Sequence, residues 1–118
     1  PQTKLFDESI LSEDHVKILL TTWKTADGIP LTKGLKEIDL GGYLGHYFDK
    51  SLYLMSNGFE TKNLGKLLKE IDSNKDFSPS KIIACGHNFQ SKMLMEVAEN
   101  VKHYSNKKDI DIEFLARY

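Results

Sequence analysis

The sequence predicts an α/β fold: a mixed sheet of about five strands, built from an antiparallel meander joined to a βαβαβ half. Helices flank the sheet and one helix precedes it. Three observations carry this expectation. Apolar residues recur at helical spacing in three separate stretches, two of which bracket the short apolar run Lys81 to Cys85. Aromatic-rich runs of strand length follow one another across the tight breaks Gly41-Gly42 and Asp49-Lys50. A last run, Ile110, Ile112 and Phe114, alternates with Asp111 and Glu113.

Element by element, residues 1–11 show no firm period and read as a tether, leaving 12–118 as a single α/β domain. Ser12 reads as an N-cap, and Glu13 and Asp14 occupy the first turn, where the positive end of the helix dipole favours them. Val16, Leu19, Leu20 and Trp23 then form one stripe, Gly28 stands at the C′ position and Pro30 blocks continuation, so a helix spans Glu13 to Ala26. Leu35, Ile38 and Leu40 make a first strand before the glycine pair, and Tyr43–Phe48 and Ser51–Met55 make the next two. Thr61 is placed to cap a helix with Leu64, Leu67, Leu68 and Ile71 on its apolar side. Lys81–Cys85 fits a buried strand, and Gly86-His87-Asn88 turns into a helix striped by Phe89, Met93, Leu94, Val97, Ala98, Val101 and Tyr104. Asn106 to Asp109 is polar and precedes the last strand. The β-α-β-α-β half implies right-handed crossovers.

Composition narrows the function classes. The chain has 118 residues, 16 basic and 17 acidic, with 40 % apolar and 28 % charged residues. That is ordinary globular composition, and it argues against disorder and against a whole-surface nucleic-acid binder. No apolar run reaches the ~18 residues of a spanning helix, so no membrane partner is expected. The lone Cys85 excludes an internal disulfide framework and suits a reducing, cytoplasmic setting. Pro1 at the first position suggests a segment of a longer polypeptide.

The strongest candidate for binding chemistry is the turn Cys85-Gly86-His87-Asn88-Phe89. It lies at the carboxyl end of a strand, where open α/β sheets hold ligands, and a helix N-terminus follows. His87, Asn88 and Lys92 are the candidate contacts to an anion or a nucleic acid, in which case the chain is a small anion- or nucleotide-binding module. The ordinary alternative is that Asn88 caps the helix and Gly86 permits the turn. Cys85 and His87 share a strand face, but a cysteine in an apolar strand usually behaves as a small buried hydrophobe. His15, His46, His87 and His103 lie singly, without zinc-type spacing. Glu37 and Asp39 share a face of the first strand, and a meander followed by α-β-α-β resembles the ribonuclease H-like order. Asp39 would then be the first acid of a metal-dependent nuclease, for which a second acid is missing at the end of the next central strand. Lys62, Lys66 and Lys69 line one helix side but alternate with acids, as a solvated face does. Met95 stands off its helix's apolar stripe and is placed to face a partner.

A further set of residues extends across the chain: Thr22-Trp23, Asp27-Gly28, Pro30-Leu31, Ile38-Asp39 with Gly42-Tyr43, Leu52-Tyr53-Leu54, Ile82-Ile83 with Gly86 and Phe89, and Arg117-Tyr118. As a set, from Thr22 to Tyr118, they resemble the C-terminal region of the modification subunits of type III restriction-modification systems, which are bacterial adenine-specific DNA methyltransferases. The resemblance implies a parent that transfers a methyl group from S-adenosylmethionine to N6 of an adenine flipped out of DNA. It also implies that the chemistry sits elsewhere, on an Asp-Pro-Pro-Tyr motif and a Phe-x-Gly-x-Gly cofactor loop, neither of which occurs in these 118 residues. The expectation is a non-catalytic domain, with no catalytic residue and no cofactor or metal of its own. Its role would be subunit assembly or DNA positioning. Its partners would be its own methyltransferase core, a second copy, a restriction subunit and, through the parent, DNA.

Overall fold

A computed structural model describes residues 12–30 and 32–118. The first helix, α1 (Glu13–Ala26), begins where Ser12 accepts the His15 N–H and ends before Gly28, whose φ of 81° only glycine adopts freely. Three short strands follow: β1 (Lys36–Asp39), β2 (Leu44–Phe48) and β3 (Ser51–Leu54). The β2–β3 hairpin turns through Asp49 and Lys50, both at positive φ, the backbone hand that matches strand twist. Then come α2 (Thr61–Ser73), β4 (Lys81–Cys85), a 3-10 turn (Gly86–Asn88), α3 (Ser91–Lys108) and β5 (Glu113–Arg117).

The five strands lie in chain order, β1-β2-β3-β4-β5, antiparallel across the first two pairings and parallel across the last two. Two parallel steps in one direction, each with a right-handed crossover, place both crossover helices on one face. Accordingly α2 and α3 pack together over Leu52, Leu54, Ile82 and Ala84, while α1 alone covers Tyr53, Met55, Ile83 and Cys85 on the other face. Strict alternation between two buried faces explains why β3 and β4 read as continuous apolar runs.

The structure corrects three boundaries. Thr61 does not cap α2; Glu60 holds that position, and its N–H donates to Asn63 Oδ1 at 2.7 Å. Asn88 does not cap α3, which starts after Gln90. The polar stretch Asn106–Lys108 continues α3, so β5 begins at Glu113, later than the alternating residues suggest. The expected tether, residues 1–11, lies outside the described residues. None of the described helices is long and apolar enough to cross a membrane.

Candidate functional site

β1, β3, β4 and β5 all run the same way, so their carboxyl ends share one end of the sheet. The turn singled out in the sequence lies there. Asn88 is buried, and its Nδ2 donates to the Met55 carbonyl at 2.8 Å, tying the β4–α3 turn to the end of β3. Gly86 is covered by the Tyr118 ring: a Cβ at this position would stand 2.3 Å from ring carbons. Tyr118 also meets the His87 ring edge to face, at 5.4 Å between centroids. Beside them a hollow of about 1070 Å³ separates the loop before α2 from the loop before α3. His87 and Asn88 border it; Lys92 is exposed on the first turn of α3 and does not.

The lining of this hollow mixes apolar, polar and charged side chains. Beneath it Tyr43, Phe59 and Phe89 stack in sequence, with centroids 4.9 and 5.4 Å apart, and Tyr43 Oη donates to the Ser56 carbonyl. Thr61 Oγ1 donates to Glu96 Oε2 at 2.7 Å, so a carboxylate stands at the start of α2. Glu60 pairs loosely with Lys62 at 3.6 Å. Two carboxylates near the helix starts oppose a bound anion. Cys85 is fully buried, and burial pushes its thiol above the ordinary range, so it is a core residue and no nucleophile.

The nuclease alternative loses its geometry. Asp39 ends the edge strand β1, exposed, and its Oδ1 accepts the Gly42 N–H at 2.9 Å, which fixes the glycine turn. Among the described residues no three or more His, Cys, Asp or Glu side chains gather where they could hold a metal ion.

A second constellation was not anticipated from spacing. Asp27, just past α1, accepts a hydrogen bond from Tyr53 Oη at 2.5 Å and two from Arg117, Nη1 to Oδ2 at 3.1 Å and Nη2 to Oδ1 at 3.3 Å. The guanidinium lies over the Trp23 ring, 5.1 Å from its centroid. Burial pushes the Asp27 carboxyl upward, but the hydrogen bonds from Tyr53 and Arg117 outweigh it and hold the group below the usual carboxylate range. Burial, with Asp27 beside it, raises the Tyr53 hydroxyl and keeps it protonated as the donor. This clasp joins α1, β3 and β5 across a span of 90 residues. Each of its members is among the residues that carry the family resemblance. Spacing alone contains no sign that they meet.

Comparison with known proteins fits this picture. The family model described as the type III R-M EcoP15I C-terminal domain matches residues 14–110. The EcoP15I Mod subunit of Escherichia coli is 42 % identical over 112 residues, and the EcoPI Mod subunit of Escherichia phage P1 is 38 % identical over 112. Each alignment covers 95 % of this chain and 17 % of the relative. The StyLTI Mod subunit of Salmonella typhimurium is 28 % identical over 93 residues, 78 % of this chain and 14 % of its own. The chain thus spans about one-sixth of the length of the first two relatives. By the family model and the identities together, this chain belongs to the EcoP15I C-terminal domain family of type III restriction-modification enzymes.

Proposed function

We infer that this chain is the non-catalytic C-terminal domain of a type III modification subunit, acting in subunit assembly or in positioning the parent on DNA. One observation supports the reading: the residues on which the resemblance was drawn converge on a frame and not on a reaction centre. Trp23, Asp27, Tyr53 and Arg117 form the clasp, Leu52, Leu54, Ile82 and Ile83 fill the two cores, and Gly86 seats Tyr118.

The parent's reaction is then transfer of a methyl group from S-adenosylmethionine to adenine N6 in DNA, carried by segments other than this one. The residues here do not fit that cofactor. The strand-to-helix turn at Gly86 is closed by an aromatic ring, where a cofactor loop leaves its glycine backbone open to the ligand. The partners consistent with this reading are the methyltransferase core, a second copy of the subunit and a restriction subunit, in the cytoplasm of a bacterium.

A second reading assigns His87, Asn88 and Lys92 to nucleic-acid contact. The exposure of His87 and Lys92 favours it; Asn88 would then serve as the support that holds the turn. A phosphate contact at Lys92 predicts that Lys92→Ala weakens DNA binding by the intact subunit equally on all sequences and flattens its salt dependence.

Deletion of this segment from a full-length modification subunit tests the main reading. The truncated subunit is expected to retain S-adenosylmethionine binding and to lose association with its partner subunits by co-purification. Unchanged assembly after deletion would refute it.

A further inference from the structure

The six asparagines of the chain differ in what the fold does with them. Asn63 and Asn88 are buried, and each donates a side-chain N–H to a backbone carbonyl. Asn74 Oδ1 accepts the Asp76 N–H at 3.0 Å, and Asn100 Nδ2 donates to the Glu96 carbonyl at 2.8 Å. Asn106 lies inside α3, where the helical ladder holds the backbone N–H that follows it. Asn57 stands apart. It is exposed in the bend between β3 and α2, on the rim of the hollow, and its side chain makes no hydrogen bond among the described residues.

Gly58 follows it, exposed, at a φ of 88° and with open space where a Cβ would stand. The Gly58 N–H has no backbone partner among the described residues. Glycine has no side chain to crowd its nitrogen, and its backbone turns freely. An unbonded amide nitrogen therefore stands next in the chain to an unbonded carboxamide carbon.

The same pattern occurs once more, with the acid in place of the amide, at Asp27-Gly28. There the fold closes the chemistry off. The Asp27 carboxylate accepts from Tyr53 and twice from Arg117, which holds it ionised and in place. The Gly28 N–H donates to the Thr25 carbonyl at 3.1 Å, so its nitrogen is already engaged. One pair is clasped and the other is open.

We propose that Asn57-Gly58 is a site of spontaneous deamidation in the folded chain, through a succinimide ring, while Asp27-Gly28 is held back from the equivalent isomerisation. The inference goes beyond the assembly reading and does not depend on it. A solvent base removes the Gly58 amide proton, and the nitrogen attacks Asn57 Cγ. The new N–Cγ bond closes the ring, the Cγ–Nδ2 bond breaks, and ammonia leaves with a proton from solvent. Water then adds to one of the two ring carbonyls, and a proton passes to the ring nitrogen as that C–N bond opens. Opening at Cγ leaves aspartate. Opening at the main-chain carbonyl leaves an isoaspartyl link, in which the chain runs through the former side chain. Water is the one co-reactant, and nothing is oxidised or reduced.

Either product adds a negative charge to a chain of net charge -1, on the rim where Glu60 already stands. The isoaspartyl product also lengthens the backbone between Ser56, whose carbonyl accepts the Tyr43 hydroxyl, and the buried Phe59. Ageing of the chain thereby alters both the charge and the shape of the hollow's mouth.

Incubation of the full 118-residue chain in mildly alkaline buffer, followed by peptide mapping over time, reads the outcome. The tryptic peptide 51–62 holds Asn57 and no other asparagine, and the peptide 25–33 holds Asp27-Gly28. In the native chain, 51–62 is expected to gain one mass unit, in part as the isoaspartyl isomer identified by electron-transfer fragmentation. Its conversion is expected to speed up with pH and to run at least about tenfold faster than at any other asparagine. The converted chain elutes as a more acidic species on anion exchange. Peptide 25–33 is expected to stay unchanged until denaturant opens the clasp, and then to acquire isoaspartate. Asn57→Gln, whose longer side chain closes a larger ring less readily, is expected to abolish the acidic species and leave the circular dichroism spectrum unchanged. A native chain whose 51–62 peptide keeps its mass, or converts no faster than the other asparagines, overturns the proposal. Isoaspartate at Asp27 in the native chain overturns it too, as does an acidic species that persists in Asn57→Gln.

Discussion

Asp27 is the residue on which the α1 side of the molecule turns. It sits past the helix as an exposed residue whose side chain is 21 % exposed, against 25 % for the Arg117 side chain. A hydrogen bond to a charged group contributes about 1.5–3 kcal/mol, and Asp27→Asn is expected to cost about 2 kcal/mol in urea unfolding at neutral pH. The sign with pH follows from the lowered carboxyl. A depressed folded-state value stabilises fully above the unfolded value, about pH 4, and the gain is lost as pH falls through the folded one. The gap between wild type and Asp27→Asn is therefore expected to close in acid, and a gap constant down to pH 2 would contradict the clasp. The members Trp23, Asp27, Tyr53 and Arg117 were all visible in the sequence. Their meeting was not, because partners 90 residues apart are set by strand order and by no local period. The same holds for Tyr118 over Gly86, where the sequence suggested a turn or a ligand cradle and the fold supplied a ring.

At the scale of elements, helical periods and turn residues were legible because they are local. The span of α1 follows from Ser12, its apolar stripe and Gly28, and the hairpin follows from Asp49-Lys50. Polar residues misled where their role depends on distant groups. Asn63 is no part of the apolar stripe of α2, yet it is buried: its Nδ2 donates to the carbonyls of Leu40 at 2.6 Å and Gly41 at 3.2 Å, while its Oδ1 accepts from the Glu60 N–H. It pins α2 to the turn after β1. Asn63→Ala leaves the Leu40 carbonyl without that donor and is expected to cost about 2–3 kcal/mol, measured by chemical denaturation. Gly45 in β2 carries a second such constraint. A Cβ there would stand 2.9 Å from Leu52 Cδ1 and 3.5 Å from Leu40 and Leu54, inside the α2–α3 core. Gly45→Ala is expected to destabilise by about 1–3 kcal/mol through overpacking, seen as a lower midpoint with an unchanged slope. The late start of β5 has a similar cause: Asn106–Lys108 are polar because they face solvent on the last turn of α3, closed by Asp109 in the left-handed region and the Ile110 N–H to the Ser105 carbonyl.

For the whole molecule, the mixed sheet and its flanking helices could be read from the alternation of elements, since short connections leave few topologies open. The sequence set its candidate turn at the carboxyl end of a strand, and the fold puts the turn after β4 at that end of the sheet. His87 and Asn88 border the hollow, whereas Lys92 stands outside it, and the nearby carboxylates of Glu60 and Glu96 give it mixed charge. In the proposed function, the chemistry of methyl transfer lies outside this segment. Calorimetric titration of the 118-residue chain with S-adenosylmethionine decides this: no heat of binding is expected up to about millimolar ligand, the weak limit of specific association. Saturable micromolar binding would contradict it.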